Sequence, residues 1–298
     1  MHTEPLIGRG LLGDDRFVAA PKGRRLRAMV AGSGEDLVVL EGGLGVSGLY
    51  WGPVHALLAQ RVRVVAYERA GFGASTPARG ETRDLSHLAD DLSAVVDAFP
   101  HRRLVLVGHS WGGPIVRTFT ARHIADGRQL SGLVLVDPSD EHAADLYASR
   151  WARGANALLN ALLVPLARAR LLAPSLKAQL PGLSGDLLRA VLAASSTVDA
   201  ARAAVEENRH VAEGLLALKA EPPVLDAVPL SLISAREDNF LNRRMHERIM
   251  RAHRQTVDAH PGARLVAAHR SSHMIPGTEP ELVAEEALRL LGDTLTAT

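Results

Sequence analysis

Short apolar runs alternating with helix-period segments constrain this chain more than any other feature. Runs of β type occur at 26–30, 37–40, 62–67, 104–107, 133–136, 230–233 and 264–267, each bounded by turn chemistry. Helix-period segments lie between most of them, at 53–60, 85–99, 114–124, 239–259 and 279–291. Alternation of this kind predicts an α/β fold with a mostly parallel central sheet flanked by helices. The first strands have no helix between them and predict an antiparallel edge. One stretch breaks the rhythm: 139–226 is rich in Ala, Leu and Arg, with breaks at Pro165, Pro174 and Pro181-Gly182, and contains no convincing strand. It reads as an α-helical cap inserted between strands. The expected organisation is a core at 1–138, a cap at 139–226 and the rest of the core at 227–298.

Composition narrows the function classes. The 298 residues include no cysteine, so a disulfide framework, a Cys-based metal site and a thiol nucleophile are all excluded. Lys and Arg number 34 against 33 Asp and Glu, a formal net charge of +1 that gives no reason to expect nucleic acid or an anionic membrane as partner. The residues from Met1 to Pro5 lack a basic-then-apolar leader. The longest apolar run, near 157–166, is broken by Asn160 and Pro165 and is short of the ~20 residues that cross a bilayer. The expectation is a soluble cytoplasmic protein acting on a small molecule. No His-Glu-x-x-His, acidic Ca loop or Walker-type loop appears, so neither a metal nor a cofactor is expected.

The most informative string is Gly108-His109-Ser110-Trp111-Gly112, a G-x-S-x-G between an apolar strand and an apolar-periodic helix. A strand that turns at once into a helix forces the serine into a strained conformation. It also brings strand and helix too close for a Cβ at the flanking glycines. The turn lifts the Ser110 hydroxyl above the sheet at a helix N-terminus. A serine hydroxyl needs a base oriented by an acid, and in this strand-turn-helix arrangement they follow in the order Ser, acid, His. The C-terminal part offers Glu237 and Asp238 after one strand, and His269 and His273 after the next.

These strings resemble the serine α/β-hydrolases with a helical cap, from about Leu26 to the C-terminus and excluding the cap itself. The resemblance implies Ser110 as nucleophile. It places the base at His273, in Ser271-Ser272-His273-Met274-Ile275-Pro276, with His269 as fallback. It places the acid after the penultimate core strand, where Asp238 matches best. Asp137, at the end of the 133–136 strand, and Glu237 are the alternatives. It implies an oxyanion hole from the N–H groups of Gly43 and Trp111, with Leu44 as a one-residue alternative to Gly43. The family usually has His-Gly-x here; this chain has Glu41-Gly42-Gly43, and Glu41 could hydrogen-bond loop amides instead. By analogy Leu44, Phe72, Tyr147 and Trp111 line the pocket, although Phe72 and Trp111 could equally be core. The segment from Val64 to Ser75 resembles the family's next strand and loop, with Glu68 where Asp is usual.

Gly43-Leu44-Gly45-Val46-Ser47-Gly48 also spells a dinucleotide fingerprint, G-x-G-x-x-G. In that motif the helix starts inside the glycines, whereas Gly52-Pro53 here places the helix start beyond them. The leucines and valine at 158, 159, 162, 163 and 164 suit either an apolar lid face or helix packing. His101, His123, His246 and His253 fall on expected surface helices or turns, and His109 is expected to pack under the turn.

The reaction so implied is hydrolysis of a small to medium, mostly apolar carboxylic ester or lactone through an acyl-enzyme. Alternatives are an aminopeptidase resembling proline iminopeptidases, C–C or thioester hydrolysis, acyl transfer, or a non-catalytic hydrolase-fold binder. A serine nucleophile argues against the epoxide hydrolase type, which uses Asp, and the cap holds one tyrosine, Tyr147, where epoxide opening usually uses two.

Overall fold

A computed structural model describes residues 6–225, 228–237 and 243–292. Its first half runs β1 (Asp14–Ala20), β2 (Arg24–Ala31), β3 (Asp36–Glu41), α1 (Gly52–Leu58), β4 (Arg63–Tyr67), α2 (Leu85–Asp97), β5 (Arg103–His109), α3 (Gly112–Ala125) and β6 (Gly132–Val136). Five helices then follow without a strand: α4 (Ala144–Ala148), α5 (Arg150–Arg168), α6 (Leu172–Ala178), α7 (Gly185–Ser195) and α8 (Val198–Ala220). The chain closes with β7 (Leu230–Ala235), α9 (Arg243–Asp258), β8 (Arg264–Ala268), α10 (Ile275–Thr278) and α11 (Pro280–Leu290).

The eight strands form one sheet in the order β1-β2-β4-β3-β5-β6-β7-β8. β1 and β2 form the antiparallel edge, and from β4 through β8 the neighbours are parallel. Strand period explains why the core strands read as unbroken apolar runs. In β5, Leu104 and Leu106 face a cluster that includes Leu88 and Leu92 of α2 and Ile115 and Phe119 of α3. Val105 and Val107 face the opposite cluster, with Val54 of α1 and Ala284 and Leu288 of α11. A sheet covered on both faces needs apolar residues at both parities.

The cap helices pack back onto this core. Val211, Leu215 and Leu218 of α8 join the first cluster, and Val191 and Ala194 of α7 join the second. Among the described residues no single helix is long and apolar enough to cross a membrane. β1 has no counterpart among the sequence-predicted strands. It carries Asp14, Asp15 and Arg16, and only Val18 is buried, so it lacks the apolar run by which the others are legible.

Candidate active site

The carboxyl ends of the adjacent strands β3, β5 and β6, together with β8, bring the candidate residues together, where parallel α/β sheets place ligands. Ser110 follows β5 directly, with φ +54. The flanking glycines are required by contact: a Cβ on Gly108 would lie 2.5 Å from the Gly112 carbonyl oxygen, and one on Gly112 would lie 2.6 Å from that of Glu41. Left-handed backbone at a non-glycine residue costs about 1–3 kcal/mol and persists where the surroundings impose it. Here the Ser110 N–H donates to Val136 at 3.0 Å, and the Ser110 carbonyl accepts from Gly113 and Ser139.

Ser110 Oγ lies 2.9 Å from His273 Nε2, and His273 Nδ1 lies 2.7 Å from Asp137 Oδ2. The carboxylate on His273 is therefore Asp137 at the end of β6. Asp238, the best sequence match for the acid, lies outside the described residues, and Glu237 donates its N–H to the Ser271 carbonyl without bonding His273 among the described residues. Asp137 shares the strained geometry of Ser110, with φ +40. Its other oxygen accepts from the Ala235 N–H at 3.0 Å. Burial acts to raise its carboxyl, but the hydrogen bond and charge of His273, with smaller help from His253 and Ala235, outweigh burial and hold it well below the usual carboxylate range. His253, expected on a surface helix, is fully buried: its rings bond Ser234 Oγ and the Pro138 carbonyl, 2.9 Å each.

The glycine loop after β3 passes over Ser110, with two differences from expectation. The Gly43 N–H, expected to face the reacting centre, instead donates to Tyr50 Oη at 3.2 Å. The N–H groups of Leu44 and Trp111 have no partner among the described residues. Glu41 does not hold loop amides. It accepts from Tyr67 Oη and from Arg69 Nη1, the latter at 2.8 Å. Arg69 holds the loop, donating to the Gly42 and Gly43 carbonyls at 2.6 Å each. Because a trans peptide sets N–H opposite C=O, drawing the Gly43 carbonyl to Arg69 turns the Leu44 N–H the other way. Glu207 of α8 grips the same guanidinium bidentately, at 3.0 and 2.8 Å. The cap and the glycine loop thus share one buried cation.

A second buried chain joins the glycine loop to the histidine loop. His109 Nε2 lies 2.8 Å from the His273 carbonyl, which can only accept, so Nε2 carries the proton. Nδ1 then accepts from Tyr50 Oη at 3.0 Å, and Tyr50 in turn accepts from Gly43. Burial, with the nearby charge of His273, pushes His109 down to about 3, which keeps it neutral and this polarity fixed.

The open face of Ser110 and His273 lines a cleft of about 380 Å³, walled by Leu44, Val46, Leu176, Leu180 and Met274. Leu44 is where the sequence placed it. Phe72 is not: it is fully buried against Ala200 and Ala204 of α8. Trp111 is likewise core, with 1% of its surface exposed. Tyr147 hydrogen-bonds near Ser139 and is not part of the cleft wall. The glycine fingerprint leads not into a helix but into a short 3-10 turn at Gly48–Trp51, and α1 starts at Gly52. A larger hollow of about 480 Å³ lies between the 70–83 loop and α8, where Arg79 and Arg202 both pair with Asp199.

Residues 37–286 match the alpha/beta hydrolase family. The chain is a member of the alpha/beta hydrolase family. A protein of Caulobacter vibrioides named for carbamate hydrolysis, RutD, is 40% identical over 81 residues, 27% of this chain and 30% of that protein. A non-heme haloperoxidase of Rhodococcus erythropolis is 37% identical over 108 residues, 36% of this chain and 39% of its own. These curated relatives are thus matched over about a third of their length. The solved structure of the Cif epoxide hydrolase from Acinetobacter nosocomialis superposes with a TM-score of 0.73 at 17% identity, covering 93% of this chain and 88% of that one.

Residues that sequence reasoning missed share one trait. Arg69 and Glu207 stand 138 positions apart, and Tyr50 and His109 stand 59 apart. Neither pair forms a local motif, and only the closed fold brings its members together.

Proposed function

We propose that the chain is a serine hydrolase that cleaves a small to medium, mostly apolar carboxylic ester or lactone through an acyl-enzyme. The observation that carries this reading is the continuous hydrogen-bonded line from Ser110 Oγ through His273 to Asp137. His273 Nε2 takes the hydroxyl proton as Ser110 Oγ attacks the carbonyl carbon. The oxyanion is received by the N–H groups of Leu44 and Trp111, each such donor typically worth ~10²–10³ in rate. The protonated His273 then gives its proton to the departing alkoxide, and afterwards takes one from the water that cleaves the acyl-enzyme. Asp137 keeps Nδ1 protonated and steadies the imidazolium. The apolar walls of the cleft favour an uncharged acyl group.

Labelling with a fluorophosphonate tests the nucleophile. Wild type is expected to label, and Ser110→Ala and His273→Ala to fail. A folded wild type that does not label removes the reading. A p-nitrophenyl ester chain-length series, run beside lactones, carbamates, epoxides and Pro-amides, then fixes the reaction; preference for the last three over every ester and lactone overturns the substrate class.

A further inference from the structure

The cap helix α5 packs Leu163, Val164 and Ala167 against its own protein, yet it also turns a second apolar stripe away from it. Its inward side carries Asn160, whose Oδ1 accepts from Asn208 Nδ2 of α8 at 2.9 Å. At 3.6 residues per turn, Trp151, Leu158 and Leu162 lie within about 20° of the point opposite Asn160. They are 91%, 63% and 45% exposed. Leu163 and Val164 pack as helix residues do, but Leu158 and Leu162 neither pack nor line the Ser110 cleft, and with Trp151 they stand exposed. Contiguous exposed apolar surface of this kind marks a contact with something else.

Charge selects the partner. Between Asp145 and Asp186 the chain has no acidic residue, while Arg150, Arg153, Arg168, Arg170 and Lys177 all lie there. None of the five forms an ion pair among the described residues. By the same helical count Arg153 lies on the Asn160 side, while Arg150 and Arg168 border the apolar face about 100° from its centre, where a second copy of this chain would set them against their own equivalents. An anionic, laterally fluid surface satisfies both the leucines and the arginines, and a basic amphipathic helix with an exposed tryptophan is the form that lies in a membrane interface.

We propose that α5 docks this protein on an anionic lipid surface, with Trp151, Leu158 and Leu162 entering the headgroup region and the flanking arginines meeting lipid phosphates. α6, which follows after a bend of 119°, supplies Leu176 and Ala178 to the Ser110 cleft, so the helix next in the chain to the docked one walls that opening. The docking stands on the helix face alone and does not depend on which reaction the cleft performs.

Flotation with phosphatidylcholine vesicles, with and without phosphatidylglycerol, tests it on the full chain. Wild type is expected to float with the anionic vesicles and to bind neutral ones about tenfold or more weakly. The double substitution Leu158→Glu with Leu162→Glu is expected to abolish flotation while circular dichroism stays native. Tryptophan emission gives a readout that needs no variant. Trp51 and Trp111 are buried, so a blue shift on adding anionic vesicles to wild type reports Trp151. Absence of both flotation and blue shift overturns the proposal. So does flotation that the double variant retains, or a wild-type dimer in sedimentation that the double variant dissolves.

Discussion

Asp137 is where a single residue decides most. Its carboxylate is the one His273 meets, and its strained φ of +40 matches the +54 of Ser110, so the fold holds two uncomfortable residues side by side at the ends of β5 and β6. Asp137→Asn is expected to lower kcat by about 10⁴, the size seen when a triad imidazole loses its orienting acid. Asp238→Asn is expected to leave turnover near wild type. Steady-state kinetics on a p-nitrophenyl ester check the pair, and the reverse outcome returns the acid to the loop after β7. In the sequence both aspartates follow an apolar strand, so periodicity alone could not separate them. Ser110 and His273 were legible because each sits in a local string of small residues whose backbone demands are specific. The acid has no such string, and its choice depends on which strand end His273 reaches.

At the scale of elements, the cap and the sheet are tied through Arg69. Glu41 at the end of β3 and Glu207 in α8 flank its guanidinium, and burial, which acts to lower its pKa, is outweighed by these two carboxylates, so it stays charged. Removing one partner of a buried pair leaves an uncompensated charge. Glu207→Ala is therefore expected to lose about 3 kcal/mol of stability in urea unfolding. It is also expected to lower kcat more than it raises KM. The reason is that Arg69 fixes the carbonyls of Gly42 and Gly43, and with them the direction of the Leu44 N–H, which in the proposed mechanism binds only the forming oxyanion. Equal loss in both parameters would mean that Glu207 only holds the cap. Strands β2 to β8 could be read from periodicity. This clamp could not, since Glu207 looks in sequence like any surface acid of an Ala-rich helix. The same limit hid β1, an edge strand stabilised by its pairing with β2 and not by burial.

Across the whole molecule, averages conceal what distribution reveals. A net charge of +1 gave no reason to expect nucleic acid or an anionic membrane as partner, yet it sums an all-basic stretch in the cap with an acidic excess elsewhere. Thirteen histidines likewise say little until burial sorts them. His109 and His55 are both buried, burial being the main cause that lowers them to about 3 and about 4 from the ordinary 6.5. Well above pH 6.5 both are neutral in folded and unfolded chain alike, and they leave stability unchanged. As pH falls from 6.5 toward 4, the unfolded chain takes up protons that the folded one refuses, so stability is lost in that window and regained above it. Each such proton contributes a slope of about 1.4 kcal/mol per pH unit. His123, also lowered by burial, adds in the same direction. Asp137 does not offset this loss: its carboxyl is depressed in the fold, so its contribution is present above the ordinary carboxylate range and begins to fall only below about pH 4. Thermal unfolding at pH 7.5, 6.5, 5.5 and 4.5 is expected to show a flat limb above 6.5 and a steep fall beneath it. His55, which bonds only the Met29 carbonyl and the neighbouring backbone of β4, gives the discriminating variant. His55→Gln is expected to remove one proton from that slope while keeping the contact to Met29. An unchanged slope would place the acid sensitivity in the carboxylates instead of in the buried imidazoles.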